Sequence, residues 1–135
     1  MATVLHFEDL KVWQKARVLC QQIFDLTTSG KFARDFALID QINRSSGSIM
    51  DNIAEGYGRL GNREFINFLT YSNASALECK SQVYRAFDKN YISTEKQEEL
   101  FGMLDEIIKM IHGLISYLGK TNKRGVKFKS GKTSL

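Results

Sequence analysis

Arg59 and Arg63 bracket a glycine-rich stretch, and six more cations, Lys120, Lys123, Arg124, Lys127, Lys129 and Lys132, crowd the end of a 135-residue chain. Guanidinium and ammonium groups so placed are suited to neutralising phosphate. Arg63 falls where a helix should begin, and the backbone amides of a helix N-terminus add their own partial positive charge to any anion held there. No acid accompanies the cations from Lys120 onward, and Phe128 among them offers a ring on which a base can stack. Each feature keeps a plainer reading beside this one, as exposed arginines in a turn and as a solubilising end.

Other chemistries find less support. Gly56-Tyr57-Gly58-Arg59-Leu60-Gly61 has the letters of a dinucleotide fingerprint, but that motif must follow a strand, and here it follows a helical pattern. The two histidines, His6 and His112, lack the Glu three residues earlier that di-iron bundle sites require. Neither is placed by spacing near a Ser or Cys nucleophile with a third orienting group. The expectation is a protein that is not an enzyme and takes no metal or cofactor.

A second set of polar residues reads as structural. Arg44, Asn52 and Glu55 lie on one polar stripe with Ser48 and Asp51, beside an apolar stripe of Ile42, Ile49 and Ile53 interrupted by Ser46. Glu78 and Gln82 lie on a stripe of another helical segment, after Phe68, Tyr71 and Ser75. With the two segments antiparallel about Leu60, Arg44 and Glu78 come to similar heights. A buried or half-buried Arg44–Glu78 pair fixing the register is therefore expected, because stranding one partner would cost about 3–5 kcal/mol.

Four helices can carry these groups. The first is expected from about Asp9 to Thr27, with Val12, Ala16, Leu19, Ile23 and Leu26 inward; Lys31 to Arg34 is then a short connection. The second runs from about Asp35 to Tyr57, where Gly56 and Gly58 supply the positive φ that stops a helix. The third, from about Arg63 to Asp88, alternates steps of four and three through Phe65, Leu69, Ser72, Ala76, Cys79, Val83 and Ala86. In the fourth, Thr94 and Gln97 can form a capping box, and Leu100, Leu104, Ile107, Ile111, Leu114 and Leu118 form the seam up to Gly119. Phe101, Ile108 and Ile115 widen that seam on one side, and Met103, Met110 and Tyr117 on the other. The chain has no proline to break these helices. The expected fold is all-α: an antiparallel up-down-up-down four-helix bundle over residues 1–119, with a flexible basic tail over 120–135.

Charge divides at the same place. Residues 1–119 hold 13 bases and 15 acids, a net of −2, so the chain's +4 belongs to the tail. A slightly acidic body with a basic arm argues against nucleic acid coating the whole surface. Cys20 and Cys79 fall on apolar helical faces and read as buried thiols. No signal-peptide pattern opens the chain and no apolar run reaches the ~20 residues of a membrane span, so a cytoplasmic protein away from membranes is expected.

Asn52-Ile53-Ala54-Glu55-Gly56, then Gly58-Arg59 and Glu64-Phe65-x-x-Phe68-Leu69, resemble the bacterial four-helix-bundle proteins encoded in intervening sequences of 23S ribosomal RNA genes. The likeness runs from Asp9-Leu10-x-Val12-Trp13 to the last helix. It extends to Glu78 and Gln82, but departs at Ala74 (commonly Gly), at Lys80 (commonly acidic) and in lacking a proline near Met50. That fold is similar to the accessory variability determinant of diversity-generating retroelements. The resemblance implies a homo-oligomer, with a ring of five suggested; taken with the turn and tail cations, the first expectation is a self-assembling bundle that binds nucleic acid, RNA in the first place and DNA otherwise. The alternative it implies is a protein–protein adaptor, such as an accessory subunit of a reverse transcriptase.

Overall fold

The computed structural model describes residues 6–121. Four helices follow in order: α1 (Lys11–Thr27), α2 (Phe36–Tyr57), α3 (Asn62–Asp88) and α4 (Thr94–Thr121). A 3-10 turn, Phe7–Asp9, leads into α1, and another, Phe32–Arg34, joins α1 to α2. The direction of each helix can be read from its cross-links. Gln41 pairs with Arg85, Ser45 with Gln82, and Ser48 with Ser75, so α3 descends as α2 ascends. Lys80–Asp105 and Asn62–Leu118 set α4 antiparallel to α3, and Lys15–Glu106 closes the square between α1 and α4. The arrangement is the expected up-down-up-down bundle.

The core follows the apolar seams. Val12, Ala16, Leu19 and Ile23 of α1, Ile42, Ile49 and Ile53 of α2, Phe65 to Ala86 of α3 and Leu100 to Leu118 of α4 are buried at the expected positions. Cys79 lies inside, and desolvation pushes its thiol up to about 12. Cys20 is half-buried; burial raises its pKa, and the thiol donates to the Ser46 carbonyl at 3.1 Å.

Helix ends depart from the sequence reading. Gly58 keeps a helical φ of −73° while Gly56 stays inside α2, so neither stops that helix through a left-handed backbone. The residue that needs positive φ is Gly61, at 119°, where the chain turns into α3. Ser93, not Thr94, caps α4, its Oγ accepting from the Lys96 amide at 3.0 Å. Gly119 does not end α4, which continues to Thr121.

The connection from Lys31 to Arg34 is part of the core. Phe32 is 2% exposed and stacks on Tyr91 with centroids 5.1 Å apart, closing the end of the bundle opposite the α2–α3 turn. Asp35 knots this end. Its carboxylate accepts from Lys89 Nζ at 3.0 Å, the Leu38 amide at 3.1 Å and the Tyr91 hydroxyl at 2.9 Å. Those donors, Lys89 foremost, hold it at about 2 against an ordinary 3.8, and Tyr91 is raised in return. A depressed carboxylate stabilises the fold above its unfolded pKa and ceases to as pH falls through its folded one. Asp35→Ala is therefore expected to lower the midpoint of urea unfolding at pH 7, with the difference from the parent shrinking between pH 4 and pH 2. Urea titrations of both chains at those three pH values check it.

Candidate nucleic-acid interface

The end of the bundle where α2 turns into α3 owes its shape to close helix contact. Gly56 packs so tightly on α3 that a Cβ there would lie 2.6 Å from Phe68 Cβ and 3.3 Å from the Phe65 carbonyl oxygen. Residues 58–61 then reverse the chain, leaving Leu60 92% exposed. Asn62, the first residue of α3, is buried and reaches across to α4. Its Nδ2 donates to the Leu118 carbonyl at 3.1 Å and to Thr121 Oγ1 at 2.6 Å. The α2–α3 turn, the start of α3 and the end of α4 are thus tied into one surface.

Three of the expected cations share this surface. Arg59 and Arg63 flank Asn62, and Lys120 precedes the residue that Asn62 grips. All three are exposed. Arg59 is oriented: its Nη2 meets Glu55 at 3.0 Å, and its guanidinium carbon stands 4.8 Å from the centroid of Phe68. No side chain caps the N-terminus of α3. Acids are present too, with Glu64 exposed beside Arg63, and Glu8 and Asp9 near enough to add to the desolvation that raises the Tyr57 hydroxyl's pKa. Lys123, Arg124, Lys127, Lys129 and Lys132, with Phe128, lie outside the described residues.

The second polar set makes a ladder between α2 and α3 rather than an ion pair. Ser45, buried, donates to Gln82 Oε1 at 2.6 Å, and the Gln82 amide donates to Glu78 at 3.4 Å. Ser72 donates to the Ile49 carbonyl at 2.8 Å, Ser75 to Ser48 at 2.8 Å, and Asn52 to Ser48 Oγ at 2.9 Å. Buried hydroxyls and an amide so satisfied fix register at little cost in desolvation. Glu55 does not join the ladder; it serves Arg59.

The expected Arg44–Glu78 pair does not form. Arg44 has a side chain 80% exposed and pairs with Asp40 at 3.2 Å on its own helix. Its height was correctly placed, but one position along a helix is a rotation of about 100°. Ser45, its neighbour, is the residue turned toward α3. Both Arg44 and Glu78 instead line a polar groove of about 470 Å³ with Asp40, Gln41, Ser45 and Ser48.

Residues that sequence reasoning passed over include Asn62, Phe32 and Asp35. Asn62 had one available signal, a polar residue directly after Gly61 at a helix start. An open groove of about 490 Å³ between α1 and α4, lined by Lys11, Gln14, Lys15, Val18, Met103 and Glu106, was also unforeseen. Among the described residues no three His, Cys, Asp or Glu side chains gather as a metal site would. No helix there is long and apolar enough to cross a membrane.

Comparison with known proteins matches this architecture. The family model described as 23S rRNA-intervening sequence protein matches residues 8–113. A crystal structure at 1.70 Å of a protein with unknown function, from the S23 ribosomal protein family of Bacteroides thetaiotaomicron VPI-5482, aligns with a TM-score of 0.72. The two chains are 25% identical, and the alignment covers 78% of this chain and 95% of that one. No curated protein matches the chain.

Proposed function

The chain belongs to the 23S rRNA-intervening sequence protein family, and from that premise we propose a non-enzymatic, self-assembling bundle that binds nucleic acid, RNA first. Arg59, Arg63 and Lys120 meet phosphates at one end of the bundle, and the cations from Lys123 onward extend the contact. The observation that carries this reading is the tie made by Asn62. It fastens the turn carrying two arginines to the end of α4 that carries Lys120, segments that the antiparallel order already sets at one end of the bundle. The body's net of −2 gives the rest of the surface no overall attraction for a polyanion, which favours contact at that end. Titration of the full chain into a labelled structured RNA at low salt, read by anisotropy, tests it. Saturable binding that weakens steeply with salt is expected, and no binding at low salt would contradict it.

Assembly has its own support. Leu77 and Tyr84 of α3 are about half exposed, and Phe101 and Ile108 of α4 are half-buried, with Tyr84 and Phe101 centroids 4.7 Å apart. The same apolar face supports a second reading, a protein–protein adaptor such as an accessory subunit of a reverse transcriptase. In the first reading another copy covers this face; in the second a different protein does. A solution mass of two or more times 15.4 kDa without any partner favours the first.

A further inference from the structure

Phe68 is the centre of a small cluster on the α2-facing side of α3. The Arg59 guanidinium lies 4.8 Å from its centroid, and the Tyr71 ring meets it edge-on at 5.6 Å and 84°. Phe68 is half-buried and belongs to the packing, but Tyr71, one turn further along α3, is 56% exposed. The Tyr71 hydroxyl makes no hydrogen bond to a protein group among the described residues, so the ring and its hydroxyl are open to a ligand. Phe68 meets Tyr71 from one side, and Glu55 holds Arg59 at 3.0 Å so that its planar group stays beside the Phe68 ring.

We propose that Tyr71, braced by Phe68, is a stacking step for an unpaired base, so that this end of the bundle takes single-stranded RNA in preference to duplex. The inference rests on the nucleic-acid reading above and adds the form of the ligand. A ring and a guanidinium plane offer faces, and a base offers a free face only when it is out of a helix. Stacking on an aromatic side chain is also tolerant of base identity, because every base has a π-face. Cations alone would not make this distinction, since they read only backbone charge. Arg63 lies eight residues before Tyr71 on α3, about 12 Å at 1.5 Å per residue, a span of a few nucleotides. One strand can therefore set a phosphate near Arg63 and a base on Tyr71.

The test compares an oligoadenylate with a blunt RNA duplex at one salt concentration, using the full chain, Tyr71→Ala and Tyr71→Phe. Expected are tighter binding of the single strand by the parent, a loss of about tenfold on the single strand with Tyr71→Ala, and retention with Tyr71→Phe. Duplex affinity and the salt slope should not change with either variant, which separates stacking from charge and from misfolding. Equal losses on both RNAs, or none on either, would overturn the stacking step and leave the phosphate contacts standing. Failure of the parent to bind either RNA would overturn both readings.

Discussion

Gly56→Ala is expected to destabilise the bundle by about 2 kcal/mol, although alanine is the better helix former. The added methyl would sit 2.6 Å from Phe68 Cβ and 3.3 Å from a backbone oxygen of Phe65, neither of them the movable end of a side chain. Overpacking of this kind costs about 1–3 kcal/mol, and an approach of 2.6 Å to a Cβ that cannot swing away puts it near the top of that range, while the gain in helix propensity is at most about 1 kcal/mol. The cost therefore wins, and α2 must shift off α3 at the turn. Gly47→Ala is the internal control. It lies in the same helix with open space around its Cβ position, so the propensity gain stands alone and stability should rise by about 0.5–1 kcal/mol. Chemical unfolding of the three chains gives the answer, and a stabilised Gly56→Ala would mean that α2 and α3 are further apart than described.

Reversing the charges at that end is expected to have the larger effect on function. Arg63→Glu with Lys120→Glu replaces two exposed cations by anions on the surface that Asn62 ties together. Neither side chain is buried, so stability should change within about 0.5 kcal/mol, the usual range for surface positions. RNA affinity at low salt should fall by more than tenfold, because two phosphate contacts are lost and two repulsions added. The same two changes made at Lys31 and Arg34, at the opposite end of the bundle, should leave affinity unaltered. Similar losses from both pairs would mean that net charge acts rather than a site.

The helices and their inward faces were legible because each seam repeats at helical spacing over many turns. A single substitution such as Ser72 or Cys79 within the α3 seam does not erase that signal. What lay hidden depended on rotation or on contacts across distant segments. The pairing of α2 with α3 was placed at the right height, yet Ser45 and not Arg44 turns inward. Periodicity averages over a stripe, and it did not separate adjacent positions at its polar edge. In the sequence Phe32 is only part of a connection, because its burial comes from Tyr91, 59 positions away, with no local pattern to announce it. The need for glycine at position 56 was visible, but its cause was misjudged: it is close approach to α3, which only the packed helices reveal. That Arg59, Arg63 and Lys120 share one end follows from the antiparallel order of the helices, but the bond from Asn62 that ties the two segments there has no local pattern to announce it.

The most direct measurement is the salt dependence of RNA binding by the full chain and by a chain ending at Thr121, which keeps the Asn62–Thr121 bond. If the basic segment and the bundle end form one contact surface, both bind, and logarithmic affinity falls less steeply with salt for the shorter chain. Removal of five cations should reduce the slope by up to about 4, at ~0.7–0.9 per neutralised phosphate. Identical slopes would take the basic segment out of the interface, and absence of binding by the full chain would contradict the account at its root.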